Sequence, residues 1–526
     1  MFGHSVLVFN NSLIREAVDG PDQSSLLMAI LVGIYGLILL TLSVYGGHRY
    51  TLLFNYFRSR KRQPQPLARF TDEELPGITV QLPLFNEMYV VDRLLEAVSG
   101  IDYPRDRLQI QVLDDSTDET VQISERAVAR VKKAGFDIEY IHRTDRTGYK
   151  AGALENGLKA AKHDLIAIFD ADFRPTAGFL KEIVHYFSDP KVAVAQGRWG
   201  HLNEEQTLLT RVQGLMLNGH FLIEHPARNR NGLFFNFNGT GGLWRKEAIV
   251  DAGGWQHDTI TEDLDLSYRA QMKGWKFVYD PDIVCPAELP VEMNAFKSQQ
   301  HRWAKGSIQV MFKVLPDLLR ARVPFLNKIE GFFHLTSNLC YLLVVPMCLL
   351  SLPMLVLRAR IANGTLGLVL DIGILLCATA SMVVFYTVTQ AVGYRHWWQR
   401  WHLVPMMMAL GVGMAVNQFK AVFEAVIGHK SPFVRTPKYN LDASSQGSAG
   451  WLTKRYRGAR NWVPFVELFF ALYFTASLTF AISERLWGTI PFVMIFVVGF
   501  WYIAVLSLFQ GRQRTKQALQ PAPAAA

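Results

Sequence analysis

The sequence predicts an α/β domain joined to a bundle of transmembrane helices. Between residues 78 and 295, short apolar runs of strand length alternate with amphipathic helical patterns, which is typical of a parallel sheet covered by helices. Outside this region, long stretches without Asp, Glu, Lys or Arg could each cross a hydrocarbon core of about 30 Å. A chain of 526 residues is long enough for two or three such units.

The α/β domain begins with four predicted strands and three predicted helices. The strands are Ile78–Leu84, Leu108–Leu113, Ile138–Ile141 and Asp164–Phe169, and the helices are Val90–Val98, Glu119–Lys133 and Lys150–Lys162. Ligands of such sheets bind at the carboxyl ends of the strands, where Asp114-Asp115 and Asp170-Ala171-Asp172 are found. The chain has neither a GxGxxG nor a Walker motif, which disfavours a dinucleotide-dependent enzyme or an NTPase.

Five apolar stretches predict transmembrane helices, one before the α/β domain and four after it. They are Ser24–Gly47, Gly331–Leu357, Ile361–Gly393, Pro464–Ile482 and Leu486–Gln510. A sixth stretch, within 402–427, is followed by seven basic residues up to Arg460, which would face outward if it spanned the membrane. Because basic loops stay on the cytosolic side, we expect 402–427 to lie in the membrane interface. An ordinary sixth span is the alternative.

Basic residues also orient the chain. Only Arg15 precedes the first apolar stretch, whereas Arg49, Arg58, Arg60 and Lys61 follow it. The N-terminus should therefore lie outside and the α/β domain in the cytosol, in a multi-pass protein of the plasma (inner) membrane. The net charge of +9 is concentrated at these membrane edges, so no nucleic-acid partner is expected, whereas membrane lipids are.

These patterns divide the chain into six parts. They are an N-terminal segment with the first transmembrane helix (1–50), a basic linker (51–77), the catalytic α/β domain (78–295), an interfacial helix (296–330), a transmembrane bundle (331–510) and a disordered tail (511–526). Within the bundle we distinguish the interfacial helix 402–427 from the basic loop 428–463. The four cysteines form no CxxC pair, so a zinc site or disulfide framework is not expected.

Four polar groups follow one another along the α/β domain and the helix after it: Asp114-Asp115-Ser116, Asp170-Ala171-Asp172, Thr261-Glu262-Asp263 and Gln299-Gln300-His301-Arg302-Trp303. Each group alone has an ordinary structural explanation. Acidic residues are favoured at the start of a helix, for example, and tryptophan is common at a membrane surface. Their ordered combination is much more specific than any one of them.

The combination resembles the processive family 2 glycosyltransferases, which include cellulose synthases and the cellulose-synthase-like mannan and glucan synthases. The resemblance covers residues 75–460 and includes Gln81–Glu87, Val112–Asp118, Arg143–Gly152 and Phe237–Arg245. The Phe-Asn-Gly-Thr sequence within the last segment favours the mannan and glucan synthase-like branch. The resemblance implies a GT-A fold, of the Rossmann-like class, beneath a membrane channel.

On the donor side, the resemblance assigns Asp172 and Asp170 to a divalent metal ion, Mg²⁺ or Mn²⁺. Carboxylate oxygens suit such hard cations, which neutralise a leaving diphosphate. Residues expected to hold the nucleotide-sugar are Asp115, Lys150, Asp170, Gln299 and Arg302. Among them, Arg302 would place a fixed positive charge at the leaving group.

On the acceptor side, an alcohol needs a base, and Asp263 with its neighbour Glu262 matches the family's catalytic position. Trp303 lies near the start of a helix predicted over Phe296–Leu319 and would present its ring to a sugar face. Phe237, Asn238, Gly239 and Thr240 are the other predicted acceptor residues. Gln196-Gly197-Arg198-Trp199 echoes the later motif without its spacing and is interpreted as donor-pocket wall or strand packing.

The basic loop after the interfacial helix resembles the family's gating loop, with Phe433, Thr436 and Lys438 as its expected functional residues. Arg435 separates Val434 from Thr436, and Tyr439 stands where glycine is common, so the match is imperfect. A mobile lid of this kind would exclude water from the site. A basic loop that meets anionic lipid is the simpler explanation.

The resemblance implies an inverting, metal-dependent glycosyltransferase that polymerises a β-linked polysaccharide of glucan, mannan or glucomannan type and secretes it. Its partners would be a donor, UDP-glucose or GDP-mannose, and the growing polysaccharide acceptor. Two alternatives stay open. One is a non-processive transferase that glycosylates a membrane lipid, and the other is a non-catalytic transporter or receptor with a nucleotide-binding domain.

Overall fold

A computed structural model of the chain describes residues 23–360, 379–430, 436–442 and 462–518. Its α/β domain is built on one seven-stranded sheet with the order β3-β2-β1-β4-β6-β5-β7. The strands are β1 (Ile78–Leu84), β2 (Leu108–Asp114), β3 (Asp137–His142), β4 (Leu165–Ile168), β5 (Val192–His201), β6 (Gly242–Arg245) and β7 (Lys276–Ala287). The four strands predicted from sequence are confirmed to within a residue at each end.

The sheet is mixed rather than wholly parallel. Strands β1 to β4 are parallel, as the alternation of strands and helices predicts. Strand β6 runs antiparallel to both β4 and β5, and β7 is parallel to β5. The difference arises because the chain reaches β6 through a long helical excursion after β5, instead of through a single crossover helix.

Seventeen α-helices lie within the described residues. The first nine are α1 (Gln23–Ser59), α2 (Val91–Ser99), α3 (Thr120–Lys133), α4 (Tyr149–Ala160), α5 (Phe179–Ile183), α6 (Leu208–Asn218), α7 (His225–Asn229), α8 (Lys246–Asp251) and α9 (Glu262–Met272). The others are α10 (Met293–Arg320), α11 (Phe325–Thr336), α12 (Tyr341–Arg360), α13 (Ser381–Gly393), α14 (Leu403–Gly413), α15 (Ala415–Val426), α16 (Val463–Ser483) and α17 (Ile490–Ala518). A π-helical turn, Gly219–Glu224, links α6 to α7.

The sheet is buried on both faces, which fixes the strand ends as a rigid platform. Val80, Leu82 and Val112 are fully buried in one apolar cluster, while Ile166 and Ile168 belong to the cluster on the opposite face. Strands buried on both faces read as nearly continuous apolar runs, which explains why the sequence predicts them well. Side chains just beyond the strands are therefore held in place by the core.

Four helical segments are long and apolar enough to cross a membrane: Leu26–Ser59, Phe325–Leu357, Val463–Ser483 and Ile490–Gln510. They match four of the five predicted spans. Of the remaining one, Ile361–Gly393, residues 361–378 lie outside the described residues, and Ser381–Gly393 forms a shorter apolar helix. The protein is therefore membrane-associated, with candidate spans on both sides of the α/β domain.

Two boundaries differ from those predicted. The segment 402–427 is two helices, α14 and α15, with a bend of 46° between them, which is compatible with a broken span or a re-entrant loop. The last helix continues to Ala518, eight residues into the predicted disordered tail. Residues 511–518 are rich in Arg, Gln and Lys, which have high helix propensity and can extend an established helix.

Candidate active site

The predicted donor-side acids lie at the carboxyl edge of the sheet, because Asp115 directly follows β2 and Asp170 lies two residues beyond β4. Asp115 is buried and accepts two hydrogen bonds from one guanidinium group, 2.8 Å from Arg143 Nε to Oδ1 and 2.5 Å from Nη2 to Oδ2. Such a forked contact fixes both groups. Arg143 lies within the recognised motifs but had no predicted role, and the structure identifies it as the partner of Asp115.

Lys150, in the first turn of α4, connects the donor side to the loop that precedes β6. Its Nζ lies 2.6 Å from Asp170 Oδ1 and donates to the Gly239 carbonyl oxygen at 3.0 Å. Burial opposes its charged form, but Asp170, Glu262 and Asp263 outweigh that effect and raise the Lys150 pKa. Lys150 is therefore a permanent cation among three carboxylates.

The loop at 237–240 is fastened to the sheet by hydrogen bonds. The Thr240 hydroxyl accepts from the Asp170 backbone N–H at 2.9 Å. Gln196 of β5 accepts from the Asn238 N–H and donates to the Thr240 carbonyl oxygen. Gln196 is fully buried, so this part of the Gln-Gly-Arg-Trp segment has a strand-packing role, one of the two predicted for it.

Within this loop, Gly239 lies against Asp263, whereas Phe237 is buried in the core of the α/β domain. Gly239 has a φ of +81°, and a Cβ there would lie 3.0 Å from Asp263 Oδ2, so only glycine fits this close approach. The Phe237 ring is fully buried in the core and packs against Trp244 at 5.7 Å. Direct stacking of Phe237 on an acceptor sugar is therefore not compatible with its position, because its neighbours in the core leave the ring no exposed face.

Glu262 and Asp263 begin helix α9. Burial is the largest influence on both groups and raises the pKa of each carboxyl well above its ordinary range, against the opposing effect of Lys150. Asp263 Oδ1 accepts from the Leu264 N–H at 2.8 Å. Neither carboxylate forms an ion pair with a described residue. Both acids can therefore take up a proton near neutral pH, as a general base must.

Helix α10 places the Gln-x-x-Arg-Trp motif against these acids. A Cβ at Gly306 would lie 2.5 Å from Thr261 Cγ2, so the absence of a side chain permits this contact. Burial lowers the pKa of Arg302 to about 10, although Asp172, Asp170 and Glu87 act to raise it. Arg302 therefore remains charged at neutral pH.

Trp303, the predicted acceptor-binding residue, lies beside a second tryptophan. Its ring centroid lies 6.5 Å from that of Trp199 in β5, whose Nε1 donates to the Thr240 carbonyl oxygen at 3.2 Å. The contact between Trp199 and Trp303 was not predicted from the sequence, although the similarity of Gln196–Trp199 to the later motif was a signal for it. Gln299 is partly buried on the same helix, and its predicted contact with the nucleotide-sugar stays a prediction.

The predicted gating loop is described only over residues 436–442, and Phe433 lies outside the described residues. Lys438 Nζ lies 2.6 Å from Asp172 Oδ1 and 3.5 Å from Glu87 Oε1. The Thr436 hydroxyl accepts from Arg302 Nη2 at 2.8 Å. These two loop residues therefore contact the predicted metal ligand and the predicted diphosphate ligand.

A buried polar network, which sequence reasoning did not find, extends from Asn238 to the membrane helices. Asn238 contacts His220 at 3.0 Å and His225 at 2.7 Å. His220 contacts Glu224 at 3.1 Å, and the π-helical turn carries both. Beyond them the network reaches the apolar helices through Arg228, Glu330 and His48, with contacts of 3.3, 2.9 and 2.9 Å.

Asp170 and Asp172 have the hard oxygen donors that Mg²⁺ and Mn²⁺ prefer. No cluster of three or more His, Cys, Asp or Glu side chains suited to a metal ion occurs in the described part of the chain. Asp170 and Asp172 could each supply a carboxylate, and further ligands would come from the diphosphate and water, as is usual for Mg²⁺. The donor set fits a metal carried in with the substrate.

Comparison with known proteins identifies the family of the chain. Residues 76–306 match the family described as "Glycosyltransferase like family 2". Glucomannan 4-beta-mannosyltransferase 2 from Arabidopsis thaliana is 38% identical over 361 residues, which cover 64% of this chain and 68% of the plant protein. The chain belongs to glycosyltransferase family 2. The resemblance drawn from its motifs is thereby confirmed.

Other relatives agree. Glucomannan 4-beta-mannosyltransferase 1 from Cyamopsis tetragonoloba is 37% identical over 306 residues, which cover 55% of this chain and 58% of that protein. Among solved structures, a mannosyltransferase from Pyrobaculum calidifontis in complex with GDP-Man and Mn²⁺ has a TM-score of 0.52 at 19% identity and covers 75% of this chain and 100% of its own. This likeness confirms the GT-A fold. The protein is therefore a glycosyltransferase of the cellulose-synthase-like group, whose members synthesise polysaccharides.

Proposed function

We propose that this family 2 glycosyltransferase polymerises a β-linked mannan or glucomannan from GDP-mannose in the presence of Mn²⁺ or Mg²⁺. The observation that carries the proposal is the meeting of Asp170, Lys150, Gly239 and Asp263 at one edge of the sheet. The plant relatives named as glucomannan mannosyltransferases favour mannose over glucose as the transferred sugar. The archaeal mannosyltransferase was solved in complex with GDP-Man and Mn²⁺, which agrees with that donor and metal.

In this proposal Asp263 acts as the general base for direct displacement. It removes the proton from the acceptor hydroxyl while the hydroxyl oxygen bonds to the anomeric carbon. The bond from that carbon to the diphosphate oxygen breaks at the same time, which inverts the anomeric configuration. General-base catalysis of this kind contributes about 10²–10⁴-fold to the rate.

Cationic groups receive the leaving diphosphate. Arg302 and Lys150 are half-buried, charged and held in place by their partners, so they would stabilise negative charge as it develops without reorganising. Asp172 and Asp170 would hold the divalent ion, which neutralises the diphosphate when bound. Lys438 forms an ion pair with Asp172 in this structure. Binding of the metal ion to Asp172 would require Lys438 to move away, so the segment 436–438 would act as a lid.

The growing end of the polymer would rest on Trp303 and Trp199, because aromatic rings pack on the apolar faces of sugars. Polar side chains also occur in the apolar helices. Tyr341 of α12 lies near Gln418 of α15, and the charge of Arg49 in α1 acts on both Tyr341 and Tyr386. These groups support secretion of the polymer through the bundle, with the catalytic domain on the cytosolic side of the inner membrane.

The donor can be identified with purified protein in lipid vesicles. GDP-mannose, GDP-glucose, UDP-glucose and UDP-GlcNAc would each be supplied with Mn²⁺ or Mg²⁺, and the released nucleoside diphosphate and product length would be measured. We expect GDP-mannose to give the fastest release and a product that a β-mannanase degrades. Addition of EDTA should stop release.

Other outcomes favour the alternatives. A lipid carrying one sugar would identify a non-processive transferase, and metal-independent binding without diphosphate release would identify a non-catalytic protein. Release from UDP-glucose alone, with a product resistant to mannanase, would refute mannose as the donor sugar. Asp263→Asn protein in the same vesicles is the control for release by a contaminating enzyme.

A further inference from the structure

A cavity of about 410 Å³ lies where the α/β domain meets the apolar helices. Its polar lining includes Tyr56, Arg60, Arg198, His201, Arg230 and Tyr394. None of the donor-side or acceptor-side residues of the catalytic site lines it. Its volume is within the range of cavities that bind small ligands, about 300–1,000 Å³.

The lining of this cavity carries an excess of positive charge. Three arginines and a histidine face two acidic residues, Glu204 and Asp282. Glu204 is already neutralised by an ion pair with Arg400 and accepts a hydrogen bond from the Tyr394 hydroxyl at 2.5 Å. Among the described residues that line the cavity, the exposed Asp282 is the one acid left to offset the three guanidinium groups, so an anion would relieve their mutual repulsion.

Two arginines of the cavity wall, Arg230 and Arg198, are held in place by hydrogen bonds to neighbouring residues. Arg230 Nη2 donates to Gln63 Oε1 at 2.9 Å. Arg198 is held by a bond from Nε to the Pro281 carbonyl oxygen at 2.9 Å.

The position of the cavity indicates where its ligand comes from. Tyr56 and Arg60 are at the end of the first candidate span, Leu26–Ser59, and Gly393 ends the apolar helix α13. Tyrosine at such a place is typical of the membrane–water interface. The cavity therefore lies beside the end of the first candidate span, and its lining combines the three arginines with the apolar residues Leu222 and Val392.

We propose that this cavity binds the phosphate group of an anionic ligand, with a phospholipid headgroup as its natural source. Arginine forks match phosphate oxygens in geometry as well as charge. The lipid tails would follow the apolar wall into the membrane. A soluble phosphate compound has the same recognising chemistry, so the two sources must be distinguished by direct competition between lipid and free phosphate.

The test uses the full chain, purified in detergent and free of phosphate. Its melting temperature is measured with dioctanoyl phosphatidylglycerol, dioctanoyl phosphatidylcholine or inorganic phosphate over a range of concentrations, since a ligand of the folded state raises Tm. We expect phosphatidylglycerol to raise Tm and phosphatidylcholine to leave it unchanged. Arg230→Gln and Arg60→Gln should each weaken the response about 10-fold or more, as loss of a charged hydrogen bond does.

Arg58→Gln is the matched control, because Arg58 is exposed at the same end of α1 but does not line the cavity. An equal loss of response in Arg58→Gln and Arg230→Gln, or no Tm shift with any of the three additives, would overturn the proposal. Stabilisation by inorganic phosphate equal to that by phosphatidylglycerol, and lost in Arg230→Gln, would support a phosphate site for a soluble ligand instead.

A second measurement needs no variant. Unaltered protein is irradiated with a phosphatidylglycerol that carries a diazirine in its headgroup, and the labelled peptides are identified by mass spectrometry. We expect labels within 56–63 and 392–394, which excess unlabelled phosphatidylglycerol removes. Competed labelling confined to other segments would refute the site.

Discussion

The acids on the two sides of this active site are held in opposite ways. On the donor side each carboxylate forms an ion pair: Asp115 with Arg143, Asp170 with Lys150 and Asp172 with Lys438. On the acceptor side, Glu262 and Asp263 have no ion pair with a described residue, and burial raises the pKa of each. Ion pairs fix the position of the donor-side carboxylates, whereas burial, which Lys150 only partly offsets, raises the pKa of Glu262 and Asp263 so that they can exchange protons near neutral pH. One residue type thus supports two kinds of chemistry.

The largest expected effect comes from the acceptor side. Asp263→Asn removes the proposed base without changing the size of the side chain, so the turnover number should fall about 10²–10⁴-fold. Donor affinity should change little, because the donor-side ion pairs are intact. The two quantities are measured as diphosphate release and as nucleotide binding by calorimetry.

Asp258→Asn is the control for this variant, since Asp258 is an exposed acid near the site that pairs with Lys313 at 2.6 Å. It should leave release almost unchanged, as loss of an exposed ion pair has a small effect. If Asp263→Asn polymerises normally, or if it loses donor binding to the same extent as turnover, the assignment of Asp263 to the acceptor side is wrong.

The next largest effect should come from the donor side. Asp115→Asn weakens both hydrogen bonds from Arg143, and charge-assisted bonds are worth about 1.5–3 kcal/mol. We therefore expect KM for the donor to rise about 10–100-fold with a smaller change in kcat. Asp137→Asn breaks the exposed pair with Lys162, whose two side chains are 45% and 57% accessible, and should leave both constants unchanged. A fall in kcat at constant KM would place Asp115 outside the donor site.

A smaller effect should follow from crowding the contact between α10 and the Thr-Glu-Asp segment. Gly306→Ala places a Cβ 2.5 Å from Thr261 Cγ2, so the helix or the segment must shift, and we expect activity to fall about 10-fold. Gly411→Ala is the matched helical control, because no atom lies within 4 Å of its Cβ. Alanine favours helix over glycine, so Gly411→Ala should keep full activity and an equal or higher Tm. Equal activity in both variants would contradict the proposed contact.

The sequence predicted the donor half of the site better than the network behind the acceptor half. Strands β1, β2 and β4 are short apolar runs buried on both sides, so their ends, and the acids that follow them, could be placed from local pattern alone. The partner of Asp115, Arg143, comes from the loop after β3, and a pairing across strands leaves no local signal. The same holds for Trp199, which meets Trp303 through the fold rather than through sequence spacing.

The polar network from Asn238 to His48 lay beyond sequence reasoning for a different reason. Its members come from the loop before β6, from the π-helical turn, from α7 and from the helices α1 and α11, which are far apart in the sequence. A lone buried histidine or glutamate has no periodic pattern to reveal its partner. The antiparallel β6 was missed similarly, since the direction of a four-residue strand depends on the path of the chain and not on its composition.

The smallest expected effect is a shift in pH dependence, which tests the contrast between the two sides directly. Asp263 must be ionised to act as a base, so release should fall as pH falls through its raised pKa, above the ordinary range of an aspartic acid. Arg302, with a pKa of about 10, stays charged throughout and contributes nothing to this limb.

Lys150 lowers the Asp263 pKa. Lys150→Gln should therefore move the acidic limb of kcat to higher pH, whereas Lys150→Arg, which keeps the charge, should leave it in place. An acidic limb that stays put in Lys150→Gln, or that lies near pH 4 in the unaltered enzyme, would mean that the proton is taken by a group other than this buried pair.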